Sequence, residues 1–251
     1  VSSSGYLERD QQGTNNPFNY NYWGSPVGPI NDRTNNNPRS LGAVLRDGTT
    51  SSSPQLITWT PEKTAISTNS PIQVSTRWTY SYENDIANYY AGWNRLNPYT
   101  TIDAGLGHIM KGSGQNFPMN NPGTQNYVFV GKPNNGTIKT PIGLDNDALI
   151  GNPYPSAIDA NTFLHDNGPE GTNTISGALY FWEHYPVNNT HVYRDYLGGY
   201  AVYNFIGGLE AVTPGETIDG YIINNKFYLC SKIPERYIPV GQGFFVTSAP
   251  T

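Results

Sequence analysis

The chain has 251 residues, of which 13% are charged, with 27 glycines, 20 prolines and 19 tyrosines and a formal net charge of −5. Too little Glu, Lys, Leu and Ala is present for long amphipathic helices. The acidic balance, with no basic run longer than an isolated pair, excludes a nucleic-acid surface built on clustered Lys and Arg. Nothing resembles a transmembrane span or a signal peptide, and Cys230, the single cysteine, excludes an internal disulfide framework.

In chain order, the first ~55 residues read as loop, because NNPFNYNYWGSPVGPINDRTNNNPRS has almost no apolar period. Tyr20, Tyr22 and Trp23 suit one short strand before a Gly-Ser-Pro turn. QLITW is a β-rich run. PIQVSTRWTY alternates Ile72, Val74, Thr76 and Trp78 on one expected face, the pattern of a half-buried strand. Asp85 to Trp93 suits a helical turn or a strand edge equally. Glycines at 105, 107 and 112 allow tight turns around HIMK, and NYVFVGKPNNGTI reads as a hairpin closed by Pro-Asn-Asn-Gly.

The second half has the stronger strands: GALYFWEHY, GGYAVYNFIGG, ETIDGYIINNKFYLC and GQGFFVTS, with Asn-Asn marking a further hairpin in IINNKFYL. SAIDANTFLHDN is the one helical stretch, with Ser156 as expected N-cap in a capping-box pairing with Asp159 and Asn167-Gly168 as its end. The predicted fold class is all-β, a β-sandwich or jelly roll with long ordered loops and one short helix.

FNYNYWGSPVG, WNRLN, IDAGLGHIMKG, FVGKPNNGTI, LIGNPYPSAIDANTF, GALYFWEH, GGYAVYN and YIPVGQGFFV follow one another from about Tyr20 to Val246. That series resembles the passenger region of large secreted Bacteroidetes proteins carried by the type IX secretion system. The resemblance implies export by that machinery across the outer membrane, followed by display on the cell surface or release. It implies a sorting domain beyond Thr251, and it carries over no catalytic residue. The expected organisation is one predominantly β passenger region over residues 1–251, in two packed halves with a seam near 125–135.

Three groups of residues are site candidates. Asp145 and Asp147, in D-N-D spacing, with Asp159 form an oxygen set suited to calcium, although the EF-hand pattern is absent; the bland alternative is a polar hairpin end and a helix cap. Asn152, Pro153, Tyr154, Pro155 and Ser156 read as a structural corner, since each proline fixes its own φ and extends the residue before it. Tyr89, Tyr90, Trp93 and Asn94 combine ring faces with amides, the chemistry that holds sugars, against the alternative that the rings are core or cross-strand pairs. Trp182 reads as core.

Enzyme motifs are missing: the four histidines are scattered, and neither HExxH, a GxSxG elbow nor a P-loop occurs. The expected function is a non-enzymatic adhesion or interaction module touching surface glycans or other surface proteins. A carbohydrate-binding module of a larger secreted protein is the alternative, and a secreted hydrolase a more distant one.

Overall fold

The computed structural model describes residues 5–86, 90–115, 123–184, 189–196, 198–211, 221–223, 226–228 and 232–250. Their strands form three main antiparallel sheets. The first runs Leu7–Thr14, Thr124–Pro133, Leu45–Asp47, Gln55–Leu56, with Val27–Gly28 on the end of the long strand. The second runs Trp93–Arg95, Thr79–Tyr82, His108–Lys111, Tyr20–Trp23. The third runs Gly207–Leu209, Gly198–Asn204, Leu179–His184, Gly243–Thr247, Asn146–Gly151, Asp85–Ile86.

Side-chain alternation along these strands decides how the sheets stack. In the second sheet Trp23 and Met110 join Val27, Leu45, Tyr127 and Phe129 of the first sheet in one core. Their sequence neighbours Tyr22 and Ile109 join Leu149 and Phe245 of the third sheet in another. The second sheet is therefore buried on both faces. In the third sheet Ala148, Ile150, Phe244 and Val246 face the opposite way and pack with Ala160 and Leu164 of the helix. The order is sheet, sheet, sheet, helix, which makes this an all-β, sandwich-like fold with a single helix longer than one turn among the described residues, Ala160–Asn167.

The layers approach closely where glycine removes the side chain. A Cβ on Gly151 would lie 2.3 Å from Gly24 Cα, and within the first sheet one on Gly131 would lie 1.9 Å from Gly28 O. Real Cβ atoms do not come so near, so both positions require glycine.

Several elements match expectation: the Tyr20–Trp23 strand, the strands Leu179–His184, Gly198–Asn204 and Gly243–Thr247, and the hairpin of Tyr221–Ile223 with Lys226–Tyr228. Four elements differ. Leu7–Thr14 is an eight-residue strand inside the stretch read as loop; its sequence LERDQQGT lacks apolar alternation because it gains its hydrogen bonds as an edge on Thr124–Pro133. The hairpin expected in NYVFVGKPNNGTI does not form, since Thr124–Pro133 pairs with Leu7–Thr14, Leu45–Asp47 and Val27–Gly28, and buried Asn134 ties down the following loop. The alternation from Ile72 to Trp78 stops after Val74: Thr76–Trp78 is a 3-10 turn capped by Ser75 Oγ, which accepts from Arg77 N. The helix is capped by Asp159, not Ser156, because its Oδ1 accepts from Asn161 N at 3.0 Å and Thr162 N at 3.4 Å. Cys230 lies outside the described residues. The 125–135 stretch, expected as a seam, lies mostly in Thr124–Pro133, beside the edge strand of the first sheet.

Candidate functional site

The proline corner is held by a dense set of hydrogen bonds. Asn152 is fully buried, and its Nδ2 donates to the carbonyls of Ser156 (2.8 Å), Pro239 (3.1 Å) and Ile238 (3.2 Å). Its Oδ1 accepts from Tyr154 N at 2.9 Å, and its own N–H reaches Gln242 O at 2.9 Å. Tyr154 donates its hydroxyl to Gly136 O at 2.7 Å. Pro153 offers its carbonyl to Asn134 Nδ2 at 3.1 Å, so Pro153, Pro155 and Ser156 sit in a joint clamped from both sides.

The three aspartates are engaged separately. Asp159 caps the helix and accepts Arg236 NH2 at 2.6 Å; the hydrogen bond from that guanidinium leads the lowering of its carboxyl pKa. Asp147 accepts from Thr247 Oγ1 at 2.7 Å across the third sheet. Asp145 turns the chain with φ of 57°. Among the described residues no three His, Cys, Asp or Glu side chains gather as a metal-binding group.

The aromatic candidates divide. Trp93 packs edge-on against Tyr82 and Phe245 at 5.3 and 5.8 Å, in the core between the second and third sheets. Tyr90 is 68% exposed and meets Tyr193 at 5.2 Å. Asn94 is exposed and donates to Gly92 O at 3.3 Å. Tyr89 lies outside the described residues. Trp182 stacks on Tyr22 at 6.1 Å and meets Tyr200 edge-on at 5.1 Å, as a core ring would.

Sequence reasoning missed the most unusual chemistry in the chain. Lys111, 1% exposed, ends the strand His108–Lys111 on the side of Ile109, facing the third sheet. Among the described residues no carboxylate pairs with it. Its Nζ lies 4.1 Å from the Trp78 ring, 4.6 Å from Tyr196 and 4.9 Å from Tyr20. Burial draws the amine pKa down to about 7, while the three ring faces favour the charged form. Nζ also lies 3.1 Å from His191 Nδ1. A charged lysine only donates, so Nδ1 accepts, and the proton on Nε2 goes to Thr64 Oγ1 at 2.9 Å.

Around this amine His191 lies flat on Trp78 at 4.9 Å and meets Phe18 at 4.6 Å. His184 meets Tyr196 edge-on at 5.6 Å, and both its ring nitrogens are buried without a hydrogen-bond partner. Burial first and the Lys111 charge second lower both histidines to about 4, with Lys63 adding to the effect on His191. The cage fastens the segment carrying His191 and Tyr196 onto the second sheet, because Tyr196 also donates to Phe18 O at 3.2 Å. The signal in the sequence was a lone lysine closing an apolar strand bracketed by glycines, GHIMKG.

A second arrangement is open to solvent. A recess of about 290 Å³ at the end of the first sheet is lined by Gln12, Asn15, Thr49, Gln115, Gln125 and Asn126, with Gly48 and Thr124. Asp47, 1% exposed, supports it from behind: Oδ1 accepts from Thr49 N (2.8 Å), Thr49 Oγ1 (2.6 Å) and Gln125 Nε2 (3.2 Å). Oδ2 accepts from Ser70 Oγ (2.6 Å) and Ile72 N (3.0 Å). Burial raises the Asp47 pKa, but these hydrogen bonds outweigh it and the net direction is down.

Layered sheets, an internal amine held by rings and a recess lined by uncharged polar side chains define a β-sandwich-like protein. Residues 44–251 match the family described as a domain of unknown function, DUF8693, and the chain belongs to that family. No curated protein and no solved structure matches it.

Proposed function

We propose that this chain is a non-enzymatic interaction module of a Bacteroidetes surface protein, exported by the type IX machinery and adhering to other surface molecules. The observation that carries the reading is where the chemistry sits. Lys111, His108, His184 and Arg39 are enclosed among rings and backbone carbonyls, whereas the open recess presents amides and hydroxyls. Neutral hydrogen-bonding groups on a stiff sheet suit recognition without bond breaking. The ordered series of motifs from FNYNYWGSPVG to GQGFFV supports the export route.

The purified, labelled chain should bind intact cells, immobilised glycans or matrix proteins saturably, without turning over chromogenic glycosides or esters. Turnover, or no saturable binding to any of these surfaces, would defeat the reading. The carbohydrate-binding alternative draws support from the same recess.

A further inference from the structure

We infer that the recess at the end of the first sheet is a binding site for one ring of an uncharged, hydroxyl-rich glycan. The reasoning starts from which amide atoms are already used. Gln12 Nε2 donates to Asn126 Oδ1 at 3.0 Å, and Asn126 Nδ2 donates to Asp10 Oδ1 at 2.6 Å and Gly48 O at 3.1 Å. Gln125 Nε2 is held by Asp47 Oδ1 and Thr49 Oγ1 (both 3.2 Å) and by Asn126 O (2.8 Å). Asn15 Nδ2 donates to Gln115 O at 2.7 Å, and its Oδ1 accepts from Gly123 N at 2.9 Å.

Gln12 Nε2 spends one N–H on Asn126 and Gln125 Nε2 is fully committed to the protein, while no hydrogen bond to either carbonyl oxygen occurs among the described residues, which leaves those oxygens for a partner. Gln115 lines the recess with an acceptor that a turn of its carboxamide would present: the residue is 8% exposed, and its Oε1 is buried with no hydrogen-bond partner among the described residues. A buried acceptor left empty costs free energy, and a ligand donor placed there recovers it. The recess therefore asks for several donors at once.

Charge separates the donors that qualify. Among the described residues none that lines the recess is ionisable, and both oxygens of Asp47 are already occupied by the five donors described above. Asp10, which holds Asn126 Nδ2 through Oδ1 at the edge of the recess, is a lone carboxylate where a hard cation takes several oxygens, and among the described lining residues an anion finds no basic side chain. Hydroxyl groups supply donors without charge. The volume, about 290 Å³, lies at the small end of ligand sites, suited to a single ring with the rest of the chain outside. Because Asp47 fixes Thr49 and Gln125, the site is ordered before the ligand arrives.

This inference takes its setting from the adhesion reading and its chemistry from the recess, so the two fail differently. The wild-type chain is applied to an array of neutral, acidic and sulfated glycans, and the best neutral oligosaccharide is titrated by calorimetry. Gln12→Ala and Gln115→Leu should each weaken that binding about tenfold or more, as for a lost ligand hydrogen bond at a committed acceptor. Gln115→Leu should leave the melting temperature unchanged or raised, since it removes an unsatisfied buried oxygen; Gln12 is exposed, so its variant folds in any case. Binding confined to acidic or sulfated glycans, no neutral glycan bound, or affinity unchanged in both variants would overturn the inference. The first and third results leave the adhesion reading standing, and saturable binding to cells or matrix proteins would preserve it under the second.

Discussion

Asn152 commits one carboxamide to three carbonyl acceptors and one N–H, all within a corner between the strand Asn146–Gly151 and the helix. Replacing it with alanine strips two buried carbonyls, those of Ile238 and Pro239, of a donor and opens a small cavity. The expected loss is about 2–4 kcal/mol of unfolding free energy, read from urea denaturation. A loss under about 0.5 kcal/mol, the range of neutral surface changes, would show that the corner is held by its prolines alone. The corner was legible in LIGNPYPSAID because proline constrains its neighbours wherever it stands. The role of Asn152 in it was not, since the acceptors Ile238 and Pro239 come from almost ninety residues away in sequence.

The segment bearing His191 and Tyr196 is held by a device that depends on proton occupancy. His191 must keep Nδ1 bare to accept from Lys111, and both ring nitrogens of His184 are buried without a hydrogen-bond partner among the described residues. Their pKa values are lowered in the folded state to about 4 from the usual 6.5, so the unfolded chain binds more protons between those values. The stability these imidazoles contribute is complete above pH 6.5 and drains away as pH falls from 6.5 toward 4. Lys111, lowered to about 7 from 10.5, acts in a separate window: it adds stability as pH rises from 7 toward 10.5. The charges that lower these histidines, Lys111 on both and Lys63 on His191, repel an added proton.

After allowance for the half-exposed position of His191, roughly 1 kcal/mol should be lost between pH 7 and pH 5, or about 2–4 °C in melting temperature. His191→Phe keeps the stack on Trp78 and should flatten that decline. An equal decline in wild type and variant would place the acid response elsewhere. At this scale little was readable in advance. Leu7–Thr14 is polar because a sheet edge needs backbone partners more than side-chain burial. Lys111, His191 and Trp78 meet only after the sheets stack. Three strong strands of the second half, Leu179–His184, Gly198–Asn204 and Gly243–Thr247, were readable because their neighbours in the third sheet demand alternating apolar faces.

Across the whole molecule the question is whether the layers unfold together. Backbone bonds link the second and third sheets directly: Gly24 N to Gly241 O at 2.8 Å, Gly107 N to Leu149 O at 2.9 Å, and a bridge between Trp23 and Gln242. Gly243 shares the seam, since its Cβ would lie 2.7 Å from Trp23 N. Tyr22 and Ile109 are in one core with Leu149 and Phe245, so residues far apart in sequence lose their burial together. Such shared burial predicts a single cooperative transition, with intrinsic tryptophan fluorescence and far-ultraviolet circular dichroism tracing the same curve. Gly151→Ala tests the seam itself. A methyl 2.3 Å from Gly24 Cα can be housed only by moving backbone, because no flexible side chain is there to yield. The cost should exceed about 3 kcal/mol, at the large end of single substitutions, or the two probes should part as the third sheet melts away from the second. If Gly151→Ala melts within 2 °C of wild type, or wild type already shows two transitions, the layers are held independently and the tyrosine-rich core between them contributes packing without cooperativity.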